Sequence, residues 1–274
     1  MIPGEFDYLR ALSVDHAIRL ITEHGEEAKL IAGGHSLLPL LKLRMARPSV
    51  VIDIRSLPEL RGVRAEGDVL RLGAGTPHRV LERDPLVARM APLLAMAAAT
   101  IGDPQVRSRG TVGGSIAHAD PAADLPAVLL ALDATVTARG PNGERRIPIS
   151  EFFVGTWQTA LEPGEVIVEI SVPSHAGRPA SFQKFRQRSQ DWAIVGVAAV
   201  GGDEPAVALV NMGQTPVRAA ATERALAAGT SGQEAARLAD DGTEPPSDVR
   251  ADAVYRRHLV RTLTRRALAE LGLS

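Results

Sequence analysis

The chain has 274 residues, 45% hydrophobic and 23% charged, enough for a large core in one or two domains. A formal charge of -1 and an aromatic content of 3% argue against nucleic acid and anionic membrane as partners. The absence of cysteine excludes disulfides, thiolate chemistry and iron–sulfur clusters held by this chain alone. The N-terminal residues lack a signal-peptide pattern and no apolar run approaches ~20 residues, so a cytoplasmic protein without a membrane span is expected.

In chain order, Ser13 reads as an N-cap for a helix with an apolar face at Ala17, Ile18, Leu20 and Ile21, and Gly25 as its stop. "AKLIAGG" (residues 28–34) reads as a buried strand, "SLLPLLKLRMA" as a helical turn and "SVVIDI" as a second strand, together a βαβ-like unit. "VLRLGAGTPHRVLER" is strand, glycine corner and helix. "LVARMAPLLAMAAATIG" is too densely apolar for a surface helix and reads as one buried helix. "DPQVRSRGTVGGSIAHADPAAD" (residues 103–124) is crowded with Gly, Pro and Asp and reads as irregular. A helix, a strand and an Asn-Gly turn follow.

Beyond residue 150, four runs beginning "EVIVEISVP", "ASFQKFRQR", "AIVGVAAVGG" and "PAVALVNMG" read as strands of antiparallel sheet. A helix over residues 216–229, a loop at "GTEPPSD" and a terminal helix complete the chain. That last helix carries an apolar stripe at Val254, Leu259, Val260, Leu263 and Leu268. The main boundary falls near residues 172–180.

Two glycine corners stand out: Ala32, Gly33, Gly34, His35 and Ser36 between a strand and a helical turn, and Thr111, Val112, Gly113, Gly114 and Ser115. Glycine lets a ligand approach the backbone, and successive N–H groups at a turn cradle anions. Two such corners suit a ligand with two adjacent phosphates, each corner donating N–H groups from one side. On pattern alone, an ordinary turn is an equally good reading of each. No P-loop is present. Asp53 sits where an acidic residue would follow a dinucleotide-binding glycine loop, but Gly33-Gly34 lacks the third glycine, and Gly73-Ala74-Gly75 has His78 in the sixth place. His35, His118, Asp120 and Asp124 lack metal-ligand spacing, so no metal is expected; Ser36 and Ser115 lie in no nucleophile elbow. Arg107 and Arg109 either orient the second corner, face a partner or form internal salt bridges. Trp192 reads as core, and the basic run of the terminal helix as a solvated face.

The stretches "AGGHSLLPLLKLR", "IGDPQVRSRGTVGGSIAHADPAADLPAVLLALDATV", "FQKFRQRSQDWAIVGVAA" and "YRRHLVRTLTRRAL" together resemble the FAD-binding medium subunits of molybdenum hydroxylases, the group of carbon monoxide dehydrogenase and xanthine dehydrogenase. The resemblance implies an α+β fold. Its FAD-binding domain, of the PCMH or vanillyl-alcohol-oxidase-like type, covers residues 1–175 in two subdomains (about 1–57 and 58–175). A C-terminal α+β domain with an antiparallel sheet covers 176–274. It assigns FAD contacts to Ala32, Gly33, Gly34, His35, Ser36 and Leu37 in the first corner and to Thr111, Val112, Gly113, Gly114 and Ser115 in the second. It adds Ile101 and Gly102 near the flavin, Asp124 near the adenosine end, Lys184 beside the cofactor, and Trp192 over one isoalloxazine face, where relatives often carry Tyr. Relatives more often carry Ile at the place of Val112, a harmless difference where only the backbone faces the ligand.

The implied chemistry belongs to the flavin. No residue of this chain is a catalytic acid or base. The implied partners are a large molybdenum-cofactor subunit and a small subunit with two [2Fe–2S] clusters, two copies of each chain making a heterohexamer. Electrons arrive one at a time from the clusters and leave through FAD to a quinone, dioxygen or NAD. The alternatives are a self-sufficient FAD oxidoreductase of the same fold and a non-catalytic binding module.

Overall fold

The computed structural model describes residues 2–273. The first unit is a parallel three-stranded sheet ordered β1 (Asp7–Arg10), β3 (Val50–Asp53), β2 (Ala28–Ile31). Helix α1 (Val14–His24) connects β1 to β2 and α2 (Leu37–Lys42) connects β2 to β3, the expected βαβ arrangement. Ser13 caps α1 by accepting from the His16 N–H at 3.0 Å, and Gly25 ends it at φ 54°.

The second unit is an antiparallel sheet ordered β4 (Val63–Glu66), β5 (Val69–Gly73), β10 (Val166–Pro173), β6 (Thr135–Gly140), β7 (Gly143–Pro148). Between β5 and β6 the chain lays down six short helices: α3 (His78–Arg83), α4 (Pro85–Met90), α5 (Pro92–Ala98), α6 (Pro104–Arg109), α7 (Val112–His118) and α8 (Asp124–Ala131). Two expectations are corrected here. The apolar run 86–102 is not one helix: Pro92 cannot donate to the preceding turn and forces Ala91 out of helical geometry (φ -142°, ψ 62°). Residues 103–124 are not irregular either. Asp103 and Thr111 cap α6 and α7, with Pro104 at the first helical position of α6. A short helix α9 (Ile149–Phe152) and the hairpin β8 (Phe153–Gly155)–β9 (Gln158–Thr159) lead into β10.

The last unit is an antiparallel meander of β11 (Ala180–Phe185), β12 (Val195–Val200), β13 (Ala206–Val210) and β14 (Val217–Arg218), with helices α10 (Ala220–Ala227), α11 (Gly232–Ala235) and α12 (Ala253–Glu270). β12 and β13 are buried at every position. One face (Ala198, Val200, Ala208, Val210) joins the large core of α5 and α8, and the other (Val197, Ala199, Val207, Leu209) packs on α12. Covered on both sides, these strands need no apolar–polar alternation. On α12 the inward stripe is Leu259, Val260, Leu263 and Leu268 as expected, but Val254 is 78% exposed and Arg256, wholly buried, points inward.

Candidate functional site

A cleft of about 600 Å³ opens where four separated stretches meet: the β2–α2 corner, the turn at residues 100–102 with the start of α7, the residues around Asp124, and the arm joining β11 to β12. Of the sixteen expected site residues, fifteen line it: Ala32, Gly33, Gly34, His35, Ser36, Leu37, Ile101, Gly102, Thr111, Gly113, Gly114, Ser115, Asp124, Lys184 and Trp192. Val112 does not; its side chain is fully buried behind the wall, in the core with Ile116.

The corners differ in what they offer. In the first, Gly34 holds φ 80°, and among the described residues no acceptor in the chain takes the N–H groups of residues 33–36. In the second, the amides of residues 112–115 are already committed. The Val112 N–H donates to Thr76 O (3.1 Å), that of Gly113 to Ala74 O (2.8 Å), that of Ser115 to Thr111 O (3.0 Å), and that of Gly114 to the Thr111 hydroxyl (3.1 Å). The expectation that both corners donate N–H groups alike is therefore corrected: those of residues 112–115 are taken up within the chain, and those of residues 33–36 are not. The cause is the helical start of α7, whose Thr111 cap and whose seat on the turn after β5, at Ala74 and Thr76, satisfy the N–H groups internally.

Each glycine also has its own reason. A Cβ on Gly33 would lie 2.5 Å from the Arg109 carbonyl oxygen and 2.7 Å from the Gly110 Cα, so the first corner is pressed against the chain entering the second. A Cβ on Gly113 would lie 2.6 Å from the Ala74 Cβ. On Gly114 it would meet only the Thr111 hydroxyl, at 2.8 Å, with Ala32 Cβ across the gap at 4.0 Å. Gly114 is thus the glycine that backbone packing does not demand, and it faces the cleft.

At the far end, Lys184 on β11 donates to Asp124 at 2.6 Å; both side chains are almost fully buried. The other carboxylate oxygen, Oδ1, is buried without a partner. Burial pushes the Asp124 carboxyl above its ordinary range, against the pull of Lys184. Lys184 (3.4 Å) and Arg186 (3.0 Å) also donate to the Thr100 carbonyl, tying the last sheet to the turn that carries Ile101 and Gly102. From the other side Arg107, paired with Glu82 at 2.9 Å, donates to Ile101 O at 3.1 Å. Of the roles open to Arg107, bracing this turn by an internal salt bridge is the one observed. Trp192 is 54% exposed at the cleft edge and is not core.

Two features escaped the sequence. His78, at the start of α3, lines the cleft beneath Gly110; its own N–H donates to Gly110 O at 2.9 Å. Burial, then the neighbouring charges of His35 and Arg107, hold its imidazole down to about 4, so it is neutral at physiological pH. Its only signal was the histidine in the sixth place of the glycine pattern. Arg55 and Arg61 also line the cleft. Asp53, by contrast, spends its carboxylate on Arg55 (2.6 Å), the Arg55 N–H (2.8 Å) and the Tyr8 hydroxyl, and is lowered to about 2 despite its burial. It does not face the cleft, and so binds no ribose there.

The residues fit a flavin dinucleotide. Free amides at one corner, a bare Gly114 face opposite, a buried carboxylate oxygen without a donor and an aromatic at the rim are what its diphosphate, its polar rings and its flat isoalloxazine need. Comparison with known proteins agrees. Residues 4–175 match the family described as FAD binding domain in molybdopterin dehydrogenase, and residues 180–271 the CO dehydrogenase flavoprotein C-terminal domain. The chain is 43% identical to the carbon monoxide dehydrogenase medium chain of Hydrogenophaga pseudoflava, over 98% of this chain and 97% of the relative. It is 42% identical to subunit alpha of the 6-hydroxypseudooxynicotine dehydrogenase complex of Paenarthrobacter nicotinovorans, over 98% and 95%. It superposes with a TM-score of 0.95, at 44% identity and 99% coverage of both chains, on a solved structure of carbon monoxide dehydrogenase from Hydrogenophaga pseudoflava lacking the Mo-pyranopterin moiety. The chain belongs to the family of FAD-binding medium subunits of molybdenum hydroxylases of the carbon monoxide dehydrogenase type.

Proposed function

We propose that the cleft holds FAD across its two glycine corners and that the chain relays electrons from an iron–sulfur partner chain to an external acceptor, a quinone, dioxygen or NAD. The single observation that carries this reading is the convergence on one cleft of unpaired polar atoms, the amides of residues 33–36 and the Asp124 Oδ1, with the open Gly114 face opposite the first corner.

When bound, FAD supplies a centre that accepts electrons singly and gives them up in pairs. The chain's part is to hold it. The amides of Gly33, Gly34, His35 and Ser36 donate to the diphosphate, with Leu37 packing behind them. Thr111, Gly113, Gly114 and Ser115 form the opposite wall, Gly114 by having no side chain and Ser115 by its hydroxyl. Val112 serves only through its backbone. Ile101 and Gly102 abut the isoalloxazine, with Lys184 beside it. Asp124, joined through Lys184 to the turn that carries Ile101 and Gly102, accepts a hydrogen bond through Oδ1 at the flavin end and not, as expected, at the adenosine end, and Trp192 covers one ring face. No side chain is asked to move a proton, and no metal is involved in this chain.

We place the division of the chain near residue 175, with subdomains at about 1–57 and 58–175 before it and the C-terminal domain after it. The partners are a large molybdenum-cofactor subunit and a small [2Fe–2S] subunit, two copies of each, in the cytoplasm. Among the described residues no helix is long and apolar enough to cross a membrane. The substrate is chosen elsewhere in the complex, because relatives named for carbon monoxide and for 6-hydroxypseudooxynicotine are about equally similar to this chain, at 43% and 42%.

The test is to co-express the chain with its partners and measure acid-released flavin per chain. One FAD per chain is expected, reduced when the complex turns over its substrate. A complex that assembles and turns over with no flavin would overturn the reading.

A further inference from the structure

The arm between β11 and β12, residues 186–194, carries Trp192 to the rim of the cleft, and its tip is exposed. Its base is held by an unusual amount of buried polar structure. Asn211, buried and in left-handed conformation at φ 61°, donates its side-chain amide to Ala193 O (3.0 Å) and Ile194 O (3.2 Å). Its backbone N–H donates to Pro121 O at 2.9 Å, in the segment that leads from the second corner to Asp124. Arg256, wholly buried on α12, donates to the same Ile194 carbonyl, to Asp248 at 2.8 Å and to Ala251 O at 3.4 Å.

A buried guanidinium and a left-handed asparagine are both costly unless fixed by their partners. Here Asn211 spends its side-chain amide on the two residues just after Trp192, and Arg256 spends one of its donors on the second of them. The tip, in contrast, is closed only by Asp191, which accepts from the Arg188 N–H at 3.2 Å, with a backbone bond from Asp191 N–H to Arg188 O at 3.1 Å. The arm is therefore anchored hard at one end, immediately beside the aromatic that lies over the cleft. We infer that Asn211 and Arg256 are positioning residues for Trp192: they fix the angle of the arm and register it, through Pro121, to the wall of the cleft that ends at Asp124. Neither side chain lines the cleft; Asn211 acts through the Ala193 and Ile194 carbonyls and Arg256 through that of Ile194.

The test uses the full chain in a Trp157→Phe background, which leaves Trp192 as the sole indole, with Asn211→Gly as the first variant. Glycine tolerates the left-handed backbone, so the fold is kept while the two amide bonds are lost. Arg256→Lys is the second variant, retaining the charge but not the forked donation. In the flavin-free chain, Trp192 should show lower anisotropy and stronger acrylamide quenching in both variants. In the assembled complex, flavin emission should rise and KM for the acceptor or Kd for FAD should shift by up to about tenfold, the scale of one or two hydrogen bonds. kcat at saturating acceptor should change less. A purely structural role predicts a lower Tm with unchanged Trp192 anisotropy and quenching in whichever variant folds, and that result overturns the inference. The second half of the test rests on FAD occupying the cleft; the flavin-free half does not, so the two failures are distinguishable.

Discussion

The two glycine corners look alike in the sequence and work differently in the structure. The first leaves a strand, turns through a left-handed Gly34 and enters α2 with its N–H groups free. The second is the opening turn of α7, its amides spent on Thr76, Ala74 and Thr111. One corner donates; the other offers shape, a smooth wall around Gly114. They are not independent, because Gly33 is seated on the Arg109 and Gly110 backbone. Similar dipeptides acquire different roles from their surroundings: a capping Thr and the carbonyls of the turn after β5 in one case, neither in the other.

The sharpest way to break the contrast is Gly33→Ala. Its methyl group would displace backbone rather than a flexible side chain, costing about 3 kcal/mol and prising the corners apart. Both Tm and flavin content should fall; a variant retaining both would mean that the corners do not close on one another.

His78, which shores up the second corner, has a comparable effect confined to acid. Its folded pKa of about 4 lies below the ordinary 6.5, so the unfolded chain binds a proton that the folded one does not. That share of stability is complete above pH 6.5 and is lost as pH falls towards 4, by up to about 3 kcal/mol. His78→Gln should flatten this part of the urea-midpoint profile against pH. An unchanged slope would show that the imidazole is not held neutral.

Gly114→Ala separates fold from binding. Displacing the Thr111 cap costs about 1 kcal/mol, and replacing a helical glycine by alanine returns about the same. Stability should barely move, while the methyl group enters the space assigned to the diphosphate and flavin affinity drops by about tenfold or more. Were Gly114 only a turn residue, flavin content would survive. Ser115→Ala should have the smallest effect, a loss of about 1 kcal/mol in flavin binding with Tm unchanged, read by titration of the complex with FAD.

The first unit was legible because its signals are local: a Ser13 cap, a Gly25 stop and strands of consecutive Val and Ile. Residues 103–124 were not. Their Gly and Pro density marks a loop by composition, yet Pro104 occupies the one helical turn that tolerates it, and Gly113 is required by contact with Ala74, remote in sequence. The inward Arg256 was invisible for the same reason: its partners, Ile194 and Asp248, come from the arm between β11 and β12 and from the loop before α12. Likewise, fifteen of the sixteen expected site residues meet at the cleft, but the sequence pattern could not reveal that the second corner's amides are consumed internally. His78 carried no conspicuous motif at all.

Amide hydrogen exchange, resolved by residue and recorded on the assembled complex with and without FAD, tests the central claim most directly. Fast exchange is expected at residues 33–36 in the flavin-free complex, with marked slowing on adding FAD, while residues 112–115 are already slow and change little. Equal protection gained at both corners, or none at the first, would contradict that claim.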